Sequence, residues 1–104
     1  MIHVVKDFHP YPKYCRVKDG EGSGEAFRKE HLLPKLQENE YVTVDLSGYN
    51  RYGPTFIREA FAGLILYNGY TVDELKRRLT IKHDMLPSIV ELCWSLISDM
   101  SKIK

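Results

Sequence analysis

Apolar and polar residues alternate along Tyr41-Val42-Thr43-Val44-Asp45-Leu46, which puts Val42, Val44 and Leu46 on one face of a strand. From Pro54 onward the period changes. Phe56, Ile57, Ala60, Phe61, Leu64 and Ile65 recur at helical spacing, and beyond Glu59 the segment is apolar nearly all round. This predicts a deeply buried helix over 54–68. Pro54 opens it, because its missing N–H costs nothing at the first helical position, and Asn68-Gly69 ends it. A second long stripe, Leu86, Ile89, Val90, Cys93, Leu96, Ile97 and Met100, predicts a last helix capped by Asp84 and running to about Ser101.

The remaining pattern is shorter. Ile2 to Lys6 reads as a first strand and Tyr14 to Lys18 as a second, with His9-Pro10-Tyr11-Pro12 extended between them. Asp19 to Gly24 is a glycine-rich turn. Ser23 then caps a helix from Gly24 to about Leu33, which Pro34 kinks or ends. Thr71 and Glu74 form a capping box that opens a short helix to Arg78, and Leu79 to His83 alternates as another strand. The order β-β-α-β-α-α-β-α predicts an α/β fold: a single mixed sheet of about four strands with helices packed mainly on one face.

Composition narrows the function. A chain of 104 residues has the size of one domain, spanning 1–104. With 43% hydrophobic and 28% charged residues it is globular and not disordered. A net charge of +1 asks for no polyanionic partner, so nucleic acid binding is not expected. No apolar run approaches the ~20 residues of a membrane span, and the N-terminus is too short and mixed for a signal peptide. Cys15 and Cys93 read as two free thiols in a reducing, cytoplasmic setting. They share no ligand spacing with His3, His9, His31 or His83, so neither a metal nor a cofactor is expected.

Candidate chemistry is sparse. Gly20 to Glu25 precedes a helix, as a phosphate cradle does, but no Lys-Ser or Lys-Thr follows, and Glu21 and Glu25 would repel the anion. Thr71 to Leu92 has the rhythm of a helix-turn-helix. Its second helix, however, carries Asp84, Glu91 and Asp99 and no Lys or Arg before Ser101, the wrong sign for a DNA groove. Lys76-Arg77-Arg78 reads as a solvated face pairing with Asp73 and Glu74. His83 and Asp84 are adjacent, yet no Ser-His-Asp or Cys-His arrangement follows from that, and no catalytic residue is assigned.

The loop from Ser47 to Thr55 is the most suggestive region. It leaves the carboxyl end of a strand and feeds the buried helix, the edge where ligands and partners sit in α/β sheets. It offers Tyr49, Arg51 and Tyr52, residue types enriched in binding hot spots. The competing reading is a tight connection whose tyrosines cover the edge of the core.

The stretch YVTVDLSGYNRYGPTFIREAFAGLIL, Tyr41 to Leu66, resembles the STAS superfamily, the domain of sulphate transporters and anti-sigma factor antagonists. Ser23-Gly24-Glu25, with Phe27 and Arg28, is similar to the segment before the first helix in the STAS-like domain family of unknown function. The resemblance implies a STAS-like α/β sandwich and a non-catalytic regulatory module, similar to anti-sigma factor antagonists. Such a module docks a protein partner through the loop 47–55 and the helix after it. The implied partner is a histidine-kinase-like ATPase or a serine kinase. Asp45-Leu46-Ser47 matches the end of the antagonists' strand, and their phosphoacceptor position falls on Thr55. Gly53-Pro54 stands where that family has Asp-Ser. The expected site is therefore Ser47, Tyr49, Arg51, Tyr52, Gly53 and Thr55. The alternative is a small-ligand or nucleotide sensor using the same edge and the glycine-rich loop 20–25.

Overall fold

A computed structural model describes residues 1–103. Three strands form one sheet in the order β1-β2-β3: β1 (Ile2–His3), β2 (Val42–Asp45) and β3 (Leu79–Lys82). Both pairings are parallel. Val44 lies between Ile2 and Ile81, and Val42 beside Leu79. These five residues are buried and face the helices, as the period-two pattern requires. The other face carries His3, Thr43, Asp45, Thr80 and Lys82, which are half-buried or exposed. Helices thus cover one face of the sheet.

The expected mixed sheet of about four strands is corrected to three parallel strands. Ile2 to Lys6 does not stay extended. After His3 the chain winds into a single wide turn, Val4–Phe8, because Asp7 accepts the His3 N–H at 2.7 Å and His9 N–H reaches the Val4 carbonyl at 3.0 Å. Tyr14 to Lys18 forms no strand. Side chains take the backbone donors a ladder would need: Asp19 accepts from Arg16 N–H and Glu25 from Val17 N–H. A lone bridge between Tyr14 and Ser23 is left, followed by a tight turn at Val17–Asp19.

Helix α1 spans 24–38: α-helical over Gly24–Phe27, one π turn over Arg28–Leu32, and α-helical again over Leu33–Glu38. Ser23 caps it through the Ala26 N–H, as expected. Pro34 does not end it. The widened turn just before the proline relaxes the fit between its ring and the preceding carbonyls, so the helix continues five residues past the expected end.

Helix α2 spans 54–68 and has a matching π turn at Arg58–Ala62 between Pro54–Ile57 and Gly63–Asn68. Gly69 closes it in the left-handed conformation, φ 79°. Helices α3 (Val72–Arg78) and α4 (Pro87–Ile103) complete the fold. Only half of the capping box forms at α3. Thr71 accepts the Glu74 N–H, but the Glu74 carboxylate pairs forward with Arg78 at 2.8 Å. Arg78 also donates to the carbonyls of Leu36, Asn39 and Glu40, closing the end of α1. Helix α4 begins at Pro87, not at Asp84.

Helix α2 packs between α1 and α4, and its apolar residues join the sheet's inner face in one core. Phe56, Ile57, Ala60, Phe61 and Leu64 are fully buried. Each such large side chain contributes roughly 1.5–3 kcal/mol of transfer free energy. The α1–α2 crossing is very close. A Cβ on Gly24 would collide with the Phe56 carbonyl, and one on Gly63 with the Arg28 guanidinium.

Candidate functional site

At the carboxyl ends of β2 and β3 a bracket of hydrogen bonds shapes the loop 47–55. Asp45 accepts the Ser47 N–H at 2.9 Å, an Asx-type turn, and Gly48 then turns the chain at φ 99°. The Ser47 hydroxyl accepts the Asp84 N–H at 2.9 Å, tying the loop to the end of β3. The Tyr52 hydroxyl donates back to the Leu46 carbonyl at 2.9 Å.

His83, buried at the end of β3, makes the second tie. Its Nδ1 accepts the N–H groups of Met85 and Leu86, each at 3.1 Å, so the ring proton sits on Nε2, which donates to the Tyr49 carbonyl at 2.9 Å. Both ring nitrogens are occupied. The Asp84 carboxylate, 3.5 Å from Nδ1, therefore meets a nitrogen that already accepts two bonds, and the His83-Asp84 neighbours do not form a base–orienter pair.

The electrostatics follow the same bracket. Burial works to raise the Asp45 carboxyl, but the Ser47 hydroxyl and N–H, with His3 and Lys82, outweigh it and hold Asp45 below its ordinary value of 3.8. The Tyr52 phenol is pushed well up, first by burial and then by Cys93, Asp45 and Tyr49.

The expected site residues divide into two sets. Tyr52 is only 7% exposed, with its ring against Tyr49, Phe56 and His83, so it braces the core and offers no surface to a partner. Ser47 is likewise spent on the bracket, and Tyr49 is half-buried with its ring edge-on to Tyr11 at 6.4 Å. Gly53 is the residue before α2, and Pro54 is the first helical residue as expected. Arg51 and Thr55 are exposed, as is Asn50 between them and Tyr49. Met85, 70% exposed, follows His83 on the neighbouring loop. His83 is a functional brace that sequence reasoning missed. Its type and position at a strand end were visible, but its tautomer depends on the two N–H groups that follow it.

The start of α1 leaves no N–H free for a phosphate. The first N–H groups of α1 are all taken: Gly24 by the Tyr14 carbonyl, Glu25 by that of Cys15, Ala26 by the Ser23 hydroxyl and Phe27 by the Ser23 carbonyl. Among the described residues no group of three or more His, Cys, Asp or Glu side chains is placed to hold a metal ion. No helix there is long and apolar enough to cross a membrane. Cys15 and Cys93 are unpaired.

A family model described as the STAS-like domain of unknown function (DUF4325) matches residues 23–87, well over half of the chain. The chain belongs to this STAS-like family. The matched stretch of the STAS-like domain runs from the cap of α1 through β2, the loop 47–55, α2, α3 and β3 to the start of α4. It therefore contains every residue of the hydrogen-bond bracket. No curated protein and no solved structure matches the chain.

Proposed function

We propose that this STAS-like domain is a non-catalytic regulatory module that docks a protein partner through the loop 47–55 and the first turn of α2. The observation that carries this reading is the division within the loop. Tyr52, Ser47 and the Tyr49 carbonyl are fastened inward, while Asn50, Arg51 and Thr55 project from a backbone held on both sides. A pre-organised surface loses little entropy on binding, which favours a docking edge over a mobile connection. The edge lies at the carboxyl ends of parallel strands, where α/β sheets place their partners.

The resemblance to anti-sigma factor antagonists supports, as part of this proposal, a partner that is a histidine-kinase-like ATPase or a serine kinase, met in the cytoplasm. Thr55 lies in the opening turn of α2, where the helix dipole favours added negative charge. Gly53-Pro54 before it supplies neither an acid nor a backbone donor at Pro54, so docking, not phosphorylation, is the core of the proposal. The N–H groups at the start of α1 are taken, which favours docking at loop 47–55 over nucleotide sensing through loop 20–25.

The test is affinity capture from the native cell with wild-type bait and with Thr55→Glu bait of the same thermal stability. Docking at this edge predicts a kinase or ATPase that the wild type retains and the variant loses. Equal recovery on both baits would count against it.

A further inference from the structure

Arg28 is 3% exposed, an unusual place for a guanidinium. It extends from the π turn of α1 to the π turn of α2, and Gly63 leaves it the space. Its Nη1 donates to the Glu59 carbonyl and, at 3.2 Å, to the Glu59 carboxylate. The flat group lies over the Tyr67 ring, with Cζ 4.8 Å from the centroid. The side edge of the guanidinium is different. Its Nε is buried and has no hydrogen-bond partner among the described residues. An unmade bond at a buried charged donor is costly and calls for an occupant.

Arg28 is also one of the residues that line a cleft of about 360 Å³ between α1 and α2, a volume in the range of small-ligand sites. Arg16, Glu25, Lys29, Glu59 and Tyr67 also line it. Its two carboxylates are already neutralised, Glu59 by Arg28 and Glu25 by Lys29 at 2.9 Å together with the Val17 N–H at 2.9 Å. Three cations against two carboxylates leave one positive charge, carried by Arg16 at the mouth. The outer wall is exposed: Tyr67 is 49% exposed and meets the Arg16 guanidinium through a long 3.4 Å bond.

We infer that this cleft binds a small oxyanion, a carboxylate- or phosphate-bearing metabolite. One oxygen meets the side edge of Arg28, and Arg16 closes over the group as Tyr67 tilts aside. The side edge of arginine matches both oxyanions in shape and charge. The site is separate from the loop 47–55, and the proposal does not depend on the docking function.

The test is a titration of the full ¹⁵N-labelled chain, following the Arg28 Nε–Hε resonance. Inorganic phosphate and succinate are the probes, with chloride at matched ionic strength as the control. The expected result is a saturable shift with phosphate or succinate below ~10 mM and none with chloride. A response to phosphate alone assigns a phosphorylated ligand, and a response to succinate alone a carboxylate. Arg16→Ala, an exposed change that should leave the fold intact, should weaken the binding about tenfold, the effect of losing one charge-assisted hydrogen bond. Absence of a saturable shift with both probes, an equal response to chloride, or unchanged affinity in Arg16→Ala would each overturn the proposal.

Discussion

His83 and Tyr49, thirty-four residues apart, are joined by a 2.9 Å hydrogen bond from the imidazole Nε2 to the loop carbonyl. The same ring accepts the N–H groups of Met85 and Leu86. One buried side chain therefore holds both the loop 47–55 and the approach to α4. His83→Ala should cost about 2–3 kcal/mol, since it strands partly buried backbone groups. Native-state hydrogen exchange should accelerate in both segments together. Acceleration confined to one of them would show that the ring does not link the two.

The core makes a simpler prediction. Phe61 is fully buried and meets Phe27 edge-on at 6.2 Å. Phe61→Ala should destabilise the domain by about 3–5 kcal/mol. Against a typical total of ~5–15 kcal/mol, that brings the chain near unfolding. Chemical denaturation reads the effect directly, and an unchanged midpoint would mean that α2 turns a different face to the sheet.

Asp45 gives the acid side of the stability curve a definite sign. Its folded pKa lies below the unfolded value of 3.8, so between the two the unfolded chain binds the extra proton. The stabilisation is complete above the unfolded pKa and is lost as pH falls through the folded one. Asp45→Asn should lower stability at neutral pH and flatten the curve below about pH 4. Denaturation midpoints of wild type and variant across the acidic range are the measurement. Parallel curves would remove Asp45 from the bracket.

The two thiols should behave unequally. Burial pushes Cys93 up to about 12, and Cys15, half-buried, is also raised, by burial first and then by Glu59. A thiol reagent at neutral pH should leave Cys93 untouched in the native protein and modify both after denaturation. Rapid native reaction at Cys93 would contradict its placement on the inner face of α4.

The sequence reading succeeded where one pattern dominated. Val42, Val44 and Leu46 alternate without interruption, and all three are buried. Pro54 and Gly69 bound α2 because each has a conformational requirement visible in the residue itself. It failed where side chains competed for the backbone. Ile2-His3-Val4-Val5 looks like a strand, yet Asp7 and His3 side chains draw the chain into a turn. Val17 looks like a strand residue, yet its N–H goes to Glu25, eight residues on.

The candidate site was legible only as a place. That Ser47 to Thr55 would sit at a strand's carboxyl end followed from the element order. Which tyrosine faces inward did not, because Tyr49 and Tyr52 differ in burial through contacts with Tyr11, Phe56 and His83, brought together only by the fold. Arg28 was visible as part of the Ser23-Gly24-Glu25 segment, but its burial depends on Gly63, thirty-five residues later.

In the proposed docking, the exposed half of the loop meets the partner while the buried half only supports it. The most direct measurement is the dissociation constant of the captured partner for the wild type, for an Arg51→Ala, Thr55→Glu double variant and for Tyr52→Phe. The double variant changes two exposed side chains and should bind at least about tenfold more weakly, with its melting temperature unchanged. Tyr52→Phe loses the bond to the Leu46 carbonyl and should cost about 1 kcal/mol of stability with little change in affinity. Wild-type affinity in the double variant would leave the loop a purely structural connection and rule out docking at this edge.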